Sequence, residues 1–139
     1  MASFTKFNGF VEALAEKKHN LESDVLKVAL TNTVPSATDT VFDPVTLHPH
    51  PVAQDGYAPQ TPGHVTSAQS GGVYKLFLGG VTFTAEGNIG PFRYAILYND
   101  TATNDELIAF YDYGSSVILL DGESFSVTFD AANGVLTLT

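Results

Sequence analysis

The sequence contains no cysteine, so neither disulfide bonds nor thiolate metal ligands can stabilise the fold. It also lacks any apolar run approaching the roughly 20 residues that a membrane span requires. Its first residues show neither the charge order nor the apolar block of a secretory signal peptide. We therefore expect a chain that is made in the cytoplasm, is stabilised by packing and does not bind a membrane.

Basic side chains are also scarce. The chain has six lysines and arginines against 15 aspartates and glutamates, which gives a formal net charge of −9. No lysine or arginine follows Arg93. This distribution repels phosphate backbones and anionic membrane surfaces, so we predict that the chain binds no nucleic acid. The acidity either serves solubility or attracts a basic partner surface.

Motifs for catalysis are missing as well, since there is no glycine-rich phosphate loop, no G-x-S-x-G elbow and no H-E-x-x-H helix. A hydrolase needs one of two paired carboxylates in an apolar pocket. The carboxylates available for such a pair are at predicted turns and strand ends, where solvation is the rule: Asp105, Glu106, Asp112 and Asp121. We predict no enzyme activity and no cofactor, and an enzyme that uses Glu106 and Asp112 remains an alternative.

Histidines are the remaining candidates for chemistry. His48 and His50 alternate in "LHPHP", and together with His64 or Asp43 they could hold a divalent metal. Two alternating histidines without a designated third ligand are a weak metal signal. A solvated loop stiffened by proline explains the same residues, and we therefore predict no metal.

The composition itself predicts a folded protein, because 44% of the 139 residues are hydrophobic and only 15% are charged. We expect one domain over residues 1–139. Residues 1–20 predict a helix or arm, with Ser3 as its N-cap. This helix either packs on the core or reaches a neighbouring subunit. Its apolar side chains recur at helical spacing, at Phe4, Phe7, Val11 and Leu14.

Short strands dominate the rest of the sequence. A first strand is predicted in "DVLKVALTN", and the later ones in "VYKLFLGG", "VTFTAEG", "GPFRYAILYND", "ELIAFYDYG", "SVILLDG", "ESFSVTFD" and "GVLTLT". Asp121-Gly122 and Asn133-Gly134 supply turn signals between them. This spacing is typical of an all-β sandwich or barrel.

Residues 33–72 differ in composition, because six of the seven prolines fall there. Proline cannot donate to a sheet ladder, so regular central strands are excluded at those positions. We predict a long irregular loop rich in proline and glycine. Loops of this length are usually functional or ordered by a partner, and we expect this one to become ordered on docking.

The segment "GPFRYAILYND", residues 90–100, is apolar on both faces of the predicted strand. Alternation puts Phe92, Tyr94, Ile96 and Tyr98 on one face, and Arg93, Ala95, Leu97 and Asn99 on the other. Such a strand is either central in a sandwich or pressed against a partner.

Four segments, in order and across nearly the whole chain, resemble small structural proteins of tailed-bacteriophage virions. They are "ASFTKFNGFVEALAEK", "LKVALTNTVPSATDTV", "GVTFTAEGNIGPFRYAILYNDTA" and "FDAANGVLTLT". Within that group the chain resembles the capsid cement or decoration proteins, which are jelly-roll-like β-sandwiches that bind the outside of a shell of major capsid protein. The resemblance implies neither enzyme activity nor a cofactor.

The expected fold is therefore all-β, a jelly-roll-like antiparallel β-sandwich with one N-terminal α-helix and a long Pro/Gly-rich loop. We expect a structural virion protein, made in the host bacterial cytoplasm, that binds the outer capsid surface and reinforces it. Its partners would be the major capsid protein lattice and further copies of itself, as a dimer or trimer. The candidate interface residues are Phe4, Phe7, Phe42, His48, His50, Tyr57, Phe92, Tyr94, Tyr98, Tyr111 and Tyr113.

Two other functions fit the same sequence. One is a tail accessory structural protein, since head and tail proteins share this size and β-rich composition. The other is a carbohydrate-binding module or adhesin on the virion, which would hold glycans with the proline loop or with a platform of tyrosines. The tyrosines available for such a platform are Tyr94, Tyr98, Tyr111 and Tyr113.

Overall fold

A computed structural model of the chain describes residues 2–139. Within these residues the chain forms one helix and ten strands. In chain order they are β1 (Ser3–Lys6), α1 (Gly9–Ala15), β2 (Leu26–Thr31), β3 (Ala53–Gln54), β4 (His64–Ser70), β5 (Val73–Leu78), β6 (Val81–Thr84), β7 (Ile89–Asn99), β8 (Leu107–Leu119), β9 (Ser124–Val127) and β10 (Leu136–Leu138). The predicted all-β antiparallel sandwich with a single helix is confirmed.

The main sheet is antiparallel and follows the strand order β1–β8–β7–β2, with β3 paired to the start of β7. Strand β7 is therefore central, which is one of the two positions predicted from its two apolar faces. Ala95 in β7 lies opposite Leu30 of β2 on one side and opposite Tyr111 of β8 on the other.

A second layer covers one face of the main sheet. It consists of a three-stranded sheet in the order β10–β5–β4 and of the strand pair β6–β9. The apolar side chains between the two layers form the inner core, whose fully buried members include Phe10, Leu76, Phe83, Ile89, Phe92, Leu97 and Ile108. Each Å² of apolar surface removed from water stabilises by about 25 cal/mol, so this contact holds the two layers together.

The opposite face of the main sheet is covered by chain that belongs to no sheet. Phe7 follows β1, Phe42 lies between β2 and β3, and both pack on this face. With them the outward-facing side chains of the sheet form the outer core, namely Ala29, Tyr94, Ile96, Tyr98, Leu107 and Phe110. The second apolar face of β7 is thus buried by the same chain.

The alternation of β7 is interrupted near its start. The pairing with β8 shifts between Phe92, which lies opposite Val117, and Tyr94, which lies opposite Asp112. As a result Phe92 belongs to the inner core, whereas Tyr94 belongs to the outer core. The predicted aromatic row is therefore wrong at Phe92, because a β-bulge redirects that side chain. Arg93 lies at the shift and donates to both carboxylate oxygens of Asp112, at 2.8 and 3.1 Å.

The N-terminal segment is a strand followed by a short helix, and the helix predicted within residues 1–20 is wrong in extent. Residues 3–6 pair with β8, so Ser3 is not a helix cap. Helix α1 begins after Asn8 and spans seven residues. The open edge of β8 offers a ladder of backbone hydrogen bonds, whereas a helix this short is marginal by itself. Among residues 2–139, no helix is long and apolar enough to cross a membrane.

Two other predicted boundaries also differ. The segments "ELIAFYDYG" and "SVILLDG" belong to one strand of 13 residues, β8, because β7 pairs with both of its halves. Residues 33–72, predicted as irregular, contain the strands β3 and β4. Neither of these strands includes a proline, which agrees with the exclusion of regular strands at the proline positions.

Candidate functional site

Six of the candidate interface residues lie inside the chain's own core. These buried residues are Phe7, Phe42, His48, Phe92, Tyr94 and Tyr98. A partner reaches these side chains only if the fold opens, and their place in an interface stays a prediction. The remaining five are partly or well exposed: Phe4, His50, Tyr57, Tyr111 and Tyr113.

The four tyrosines considered as a sugar-stacking platform lie on two different faces of the main sheet. Tyr94 and Tyr98 belong to the outer core, whereas Tyr111 and Tyr113 pack at the margin of the inner core. Tyr113 also meets the ring of Phe125 edge-on, with 5.0 Å between the ring centroids. These four tyrosines therefore do not share one surface.

Four partly or fully buried tyrosines predict a loss of stability at high pH. Desolvation raises the pKa of Tyr57 and of Tyr113 to about 12, and it raises the pKa of Tyr98 and of Tyr111 as well. In the unfolded chain phenols ionise near pH ~10, so the unfolded state loses its protons first. We expect the tyrosines to leave the free energy of unfolding in urea unchanged below about pH 9 and to lower it as the pH rises towards about 12.

The control for this prediction is Tyr113→Phe, which removes one of the four titrating groups. Its free energy of unfolding should fall less steeply with pH than that of the parent chain. Tyrosinate absorbance provides an independent probe of ionisation in the folded state. An equal slope in both proteins, or ionisation of all tyrosines at the ordinary pKa in the folded state, would contradict the prediction.

The histidines considered as metal ligands are engaged separately. His50 Nδ1 lies 3.2 Å from the Tyr57 hydroxyl, and His64 Nε2 lies 3.0 Å from the Ser67 hydroxyl. Both ring nitrogens of the buried His48 make hydrogen bonds of their own. In the part of the chain that the structure describes, no three histidine, aspartate or glutamate side chains are grouped to hold a metal ion.

The carboxylates considered for hydrolysis lie in different surroundings. Asp121 is exposed, and Asp112 is paired with Arg93. Glu106 is only 7% exposed, so the expectation that it is solvated is wrong. Its backbone carbonyl accepts a hydrogen bond from the Asn99 N–H at 3.0 Å, which ties the start of β8 to the end of β7 and draws Glu106 inward.

His48 anchors an exposed loop, residues 43–52, to the outer core. The Asp43 N–H donates to His48 Nδ1 at 3.1 Å, so the ring carries its proton on Nε2, which donates to Asp39 Oδ2 at 3.0 Å. The ring also stacks on Phe42, with 5.8 Å between centroids. We call residues 43–52 the anchored loop, since its position is fixed from within the chain.

The anchored loop exposes apolar side chains on its outer side. Val45 is 78% exposed, Val52 is 90% exposed, and Leu47 is exposed as well. The loop contains three prolines, each of which fixes the backbone φ angle. The chain thus presents apolar side chains on a stiff, internally anchored support.

A cleft of about 1120 Å³ forms a second distinct surface feature. It lies between the segment after α1, residues 17–24, and the connection from β7 to β8, residues 101–104. Part of its lining is apolar, and this part consists of Leu14, Leu21, Tyr74, Ala102 and Leu138. The polar residues at the cleft include Lys17, Lys18, His19, Asn20, Glu22, Asp24, Ser67, Thr103, Asn104 and Glu106.

A hydrogen-bond network fixes His19 in the wall of the cleft. Asn99 Nδ2 lies 2.9 Å from His19 Nδ1 and donates to Asp24 Oδ2 at 2.7 Å. Asn99 Oδ1 accepts from the N–H groups of Thr101 and Ala102, so the orientation of this amide is determined. His19 Nδ1 is therefore an acceptor, and Nε2 carries the proton. Burial lowers the pKa of His19, although the negative charges of Glu106 and Asp24 act to raise it.

Two buried polar atoms at the cleft have no hydrogen-bond partner among the described residues. They are His19 Nε2 and Glu106 Oε2, in side chains that are 6% and 7% exposed overall. An unpaired buried polar group costs about 1–3 kcal/mol, and such groups are rare in native proteins. Both atoms are enclosed in the wall of the cleft and are closed off from solvent.

Comparisons with known protein families, with curated proteins and with solved structures find no match. The function is therefore inferred from the surfaces of this chain. Two surfaces stand out: the anchored loop, with its exposed apolar side chains, and the cleft, with its unpaired donor and acceptor. The sequence analysis predicted a contact region that includes the anchored loop. It did not select His19 at the cleft.

Proposed function

We propose that the chain is a structural virion protein that binds the outside of a tailed-phage capsid and reinforces it. Its partners in this proposal are the lattice of major capsid protein and other copies of the same chain. The resemblance of four sequence segments to virion proteins motivates the proposal. The observation that carries it in the structure is the anchored loop, which suits contact with a broad protein surface.

The anchored loop can contribute binding energy at low entropic cost. Fully burying a valine or leucine side chain stabilises by about 1.5–3 kcal/mol, and Val45, Leu47 and Val52 are all exposed in the chain alone. Because His48 and the prolines already hold the loop, little conformational freedom is lost on docking. For residues 43–52 these anchors favour a loop that is ordered before docking over one that becomes ordered on docking.

Reinforcement follows from mass action in this proposal. A protein that binds the assembled lattice but not its separated subunits shifts the equilibrium towards the assembled shell. Copies that associate with one another would strengthen the effect, because each bound copy raises the effective concentration of the next. The net charge of −9 favours a basic contact surface on the shell.

The direct test is quantitative mass spectrometry of purified virions of the phage that encodes the chain. A copy number comparable with that of the major capsid protein would support lattice decoration. A few copies per particle would contradict lattice decoration and favour a tail or vertex protein. Absence from the particles would overturn a virion role altogether.

Substitution in the anchored loop provides a second prediction. Val52→Asp should weaken binding to shells that lack the chain at least tenfold, which corresponds to about 1.4 kcal/mol, because a carboxylate would be desolvated at an apolar contact. Binding is measured by co-sedimentation with the shells. The stability of the chain should change by less than about 0.5 kcal/mol, since Val52 is 90% exposed.

The matched control is Val65→Asp, which introduces the same charge at an exposed valine of β4, outside the anchored loop. This variant should bind shells like the parent chain. Equal loss of binding in both variants would indicate a general charge effect. Unchanged binding of Val52→Asp would remove the anchored loop from the contact.

A further inference from the structure

Strand β4 forms an open edge of the second layer. It is the last strand in the sheet order β10–β5–β4, and among residues 2–139 its backbone forms ladder hydrogen bonds with β5 alone. Every residue of this seven-residue strand except Ser67 is exposed. The outward backbone groups of β4 are therefore available to another strand.

The other outer edges are shielded or short. At β2, Gln60 exchanges both backbone hydrogen bonds with Val28, and the Tyr57 hydroxyl accepts from the Leu30 N–H. Strand β1 carries Lys6, and β10 spans three residues. Charged residues and prolines commonly protect edge strands, but β4 contains no lysine, no other charged lysine-like residue and no proline.

The turn after β4 determines which of its backbone groups face outward. Two glycines at φ angles of +59° and +83° form a two-residue turn, residues 71–72. In such a turn the last residue of the first strand bonds to the facing strand, and the direction then alternates along the ladder. Ser70 and every second residue before it therefore bond to β5. The N–H and C=O groups of Ser67 and Gln69 point to the open edge.

We propose that β4 pairs with β4 of a second copy of the chain, antiparallel and around a twofold axis at Ala68. A bulge at Val65 leaves residues 66–70 as the regular part of the strand. In this register Ser67 exchanges hydrogen bonds with the partner's Gln69. The two Ala68 residues face each other without shared hydrogen bonds, a pairing in which Cα atoms approach to about 4.5 Å and a small side chain fits.

The side chains of this segment suit an identical partner. Thr66 lies opposite the partner's Ser70 in the proposed register, and both are exposed. The chain already forms such a pair between β6 and β9, where the hydroxyl oxygens of Thr82 and Ser126 lie 3.0 Å apart. A twofold contact of this kind uses the same edge on both copies, so it closes at a dimer.

Charge also favours a second copy at this edge. Two chains of net charge −9 repel each other wherever their acidic residues approach. Residues 56–74 contain no aspartate, glutamate, lysine or arginine, so the paired β4 strands bring no like charges together. The first charge in the hairpin is Lys75 of β5. It lies three strand spacings, about 14 Å, from the partner's Lys75, which exceeds the screening length of about 10 Å at 0.1 M salt.

The test is sedimentation equilibrium of the free chain between about 10 µM and about 1 mM, so its outcome is independent of a virion role. An edge contact is smaller than the usual interface of about 1,600 Å², and we expect a weak dimer with a Kd of about 10–100 µM. Ala68→Asp sets two carboxylates face to face at the axis and should raise the Kd at least tenfold. The matched control is Val65→Asp, since Val65 is 65% exposed and lies outside the paired segment. This control should dimerise like the parent chain.

Amide hydrogen exchange of the parent chain locates the contact without any substitution. The N–H groups of Ser67 and Gln69 should exchange more slowly in concentrated than in dilute solution. The Ala68 N–H serves as an internal reference, because it is bonded to β5 in both. Thermal unfolding checks that Ala68→Asp is folded, as expected for an exposed residue opposite Lys75 of β5.

Several results would overturn the proposal. They are a chain that stays monomeric at every concentration, a dimer in which the Ser67 and Gln69 amides gain no protection, and a dimer that Ala68→Asp leaves intact. Equal weakening by Val65→Asp would indicate a general charge effect and would also overturn it. Assemblies that grow beyond a dimer, or an edge that pairs only with an extended peptide of another protein, contradict the twofold contact as well.

Discussion

Replacing Phe42 by alanine is expected to lower the free energy of unfolding by about 3–5 kcal/mol, the range typical of large aromatic deletions in cores. Phe42 stacks on Tyr98 with 4.2 Å between ring centroids and also stacks on His48. Its removal opens a cavity in the outer core and weakens the support of the anchored loop. Urea unfolding measures the first effect, and faster hydrogen exchange in residues 39–50 measures the second.

The control is Phe4→Ala, which deletes the same side chain from the edge strand β1. Phe4 is 43% exposed and meets Tyr111 edge-on, so its loss should cost only about 1 kcal/mol. Equal destabilisation by the two substitutions would mean that the outer core is not a packed layer. Unchanged hydrogen exchange in residues 39–50 of Phe42→Ala would mean that the loop is held without Phe42.

The second large effect is expected at Gly134, in the turn before β10. Gly134 has a φ angle of +80°, and a Cβ atom there would overlap the carbonyl oxygen of Leu76 in β5. That same carbonyl accepts a hydrogen bond from the Val135 N–H at 2.7 Å, so it cannot move away freely. Left-handed strain of about 1–2 kcal/mol and overpacking of about 1–3 kcal/mol predict that Gly134→Ala destabilises by about 2–5 kcal/mol in urea unfolding.

Gly122→Ala separates the two contributions. Gly122 has a similar φ angle of +83°, but a Cβ atom there meets nothing within 4 Å. Only the backbone strain of about 1–2 kcal/mol should therefore be measured. If both alanine variants were equally stable, the close approach of Gly134 to β5 would not be a constraint on the fold.

The strands were the most predictable part of the fold. Alternating side chains and turn signals carry local information, so β5, β6, β7 and β9 lie where the sequence predicts them. The central position of β7 is one of the two positions that its two apolar faces predict. The sequence analysis did not predict the bulge at Phe92, although Gly90-Pro91 directly before it is a residue pair typical of bulges, because the exact shift depends on how β7 pairs with β8.

The N-terminal segment shows where local patterns fail. Phe4, Phe7, Val11 and Leu14 are spaced as in a helix, yet Phe4 and Val11 are exposed and Phe7 is fully buried. The spacing reflects chance, because a strand from Ser3 to Lys6 and a turn at Asn8 place these side chains independently. Residues 3–6 form a strand and not a helix because they pair with the edge of β8, a strand that lies far along the chain.

The candidate site was less predictable than the fold for a similar reason. His19 and Glu106 are brought to the same cleft by the pairing of β2, β7 and β8, and Asn99 links them only in the folded chain. Glu106 follows Asp105 in a polar stretch, which predicts solvent exposure. Residues far away in the sequence bury Glu106, so the prediction of solvent exposure is wrong. The sequence around Glu106 does not show which residues will cover it.

The strand order of the main sheet also has a consequence during translation. Strand β2 pairs with β7, and β1 pairs with β8, so the two strands made first find their neighbours only after most of the chain has left the ribosome. Until then the apolar residues 26–31 emerge without a partner strand. Pairings of such long sequence separation fold slowly and expose nascent strands to aggregation. We therefore expect shielding of the nascent chain, by the ribosome exit or by chaperones, to protect it from aggregation until β8 is complete.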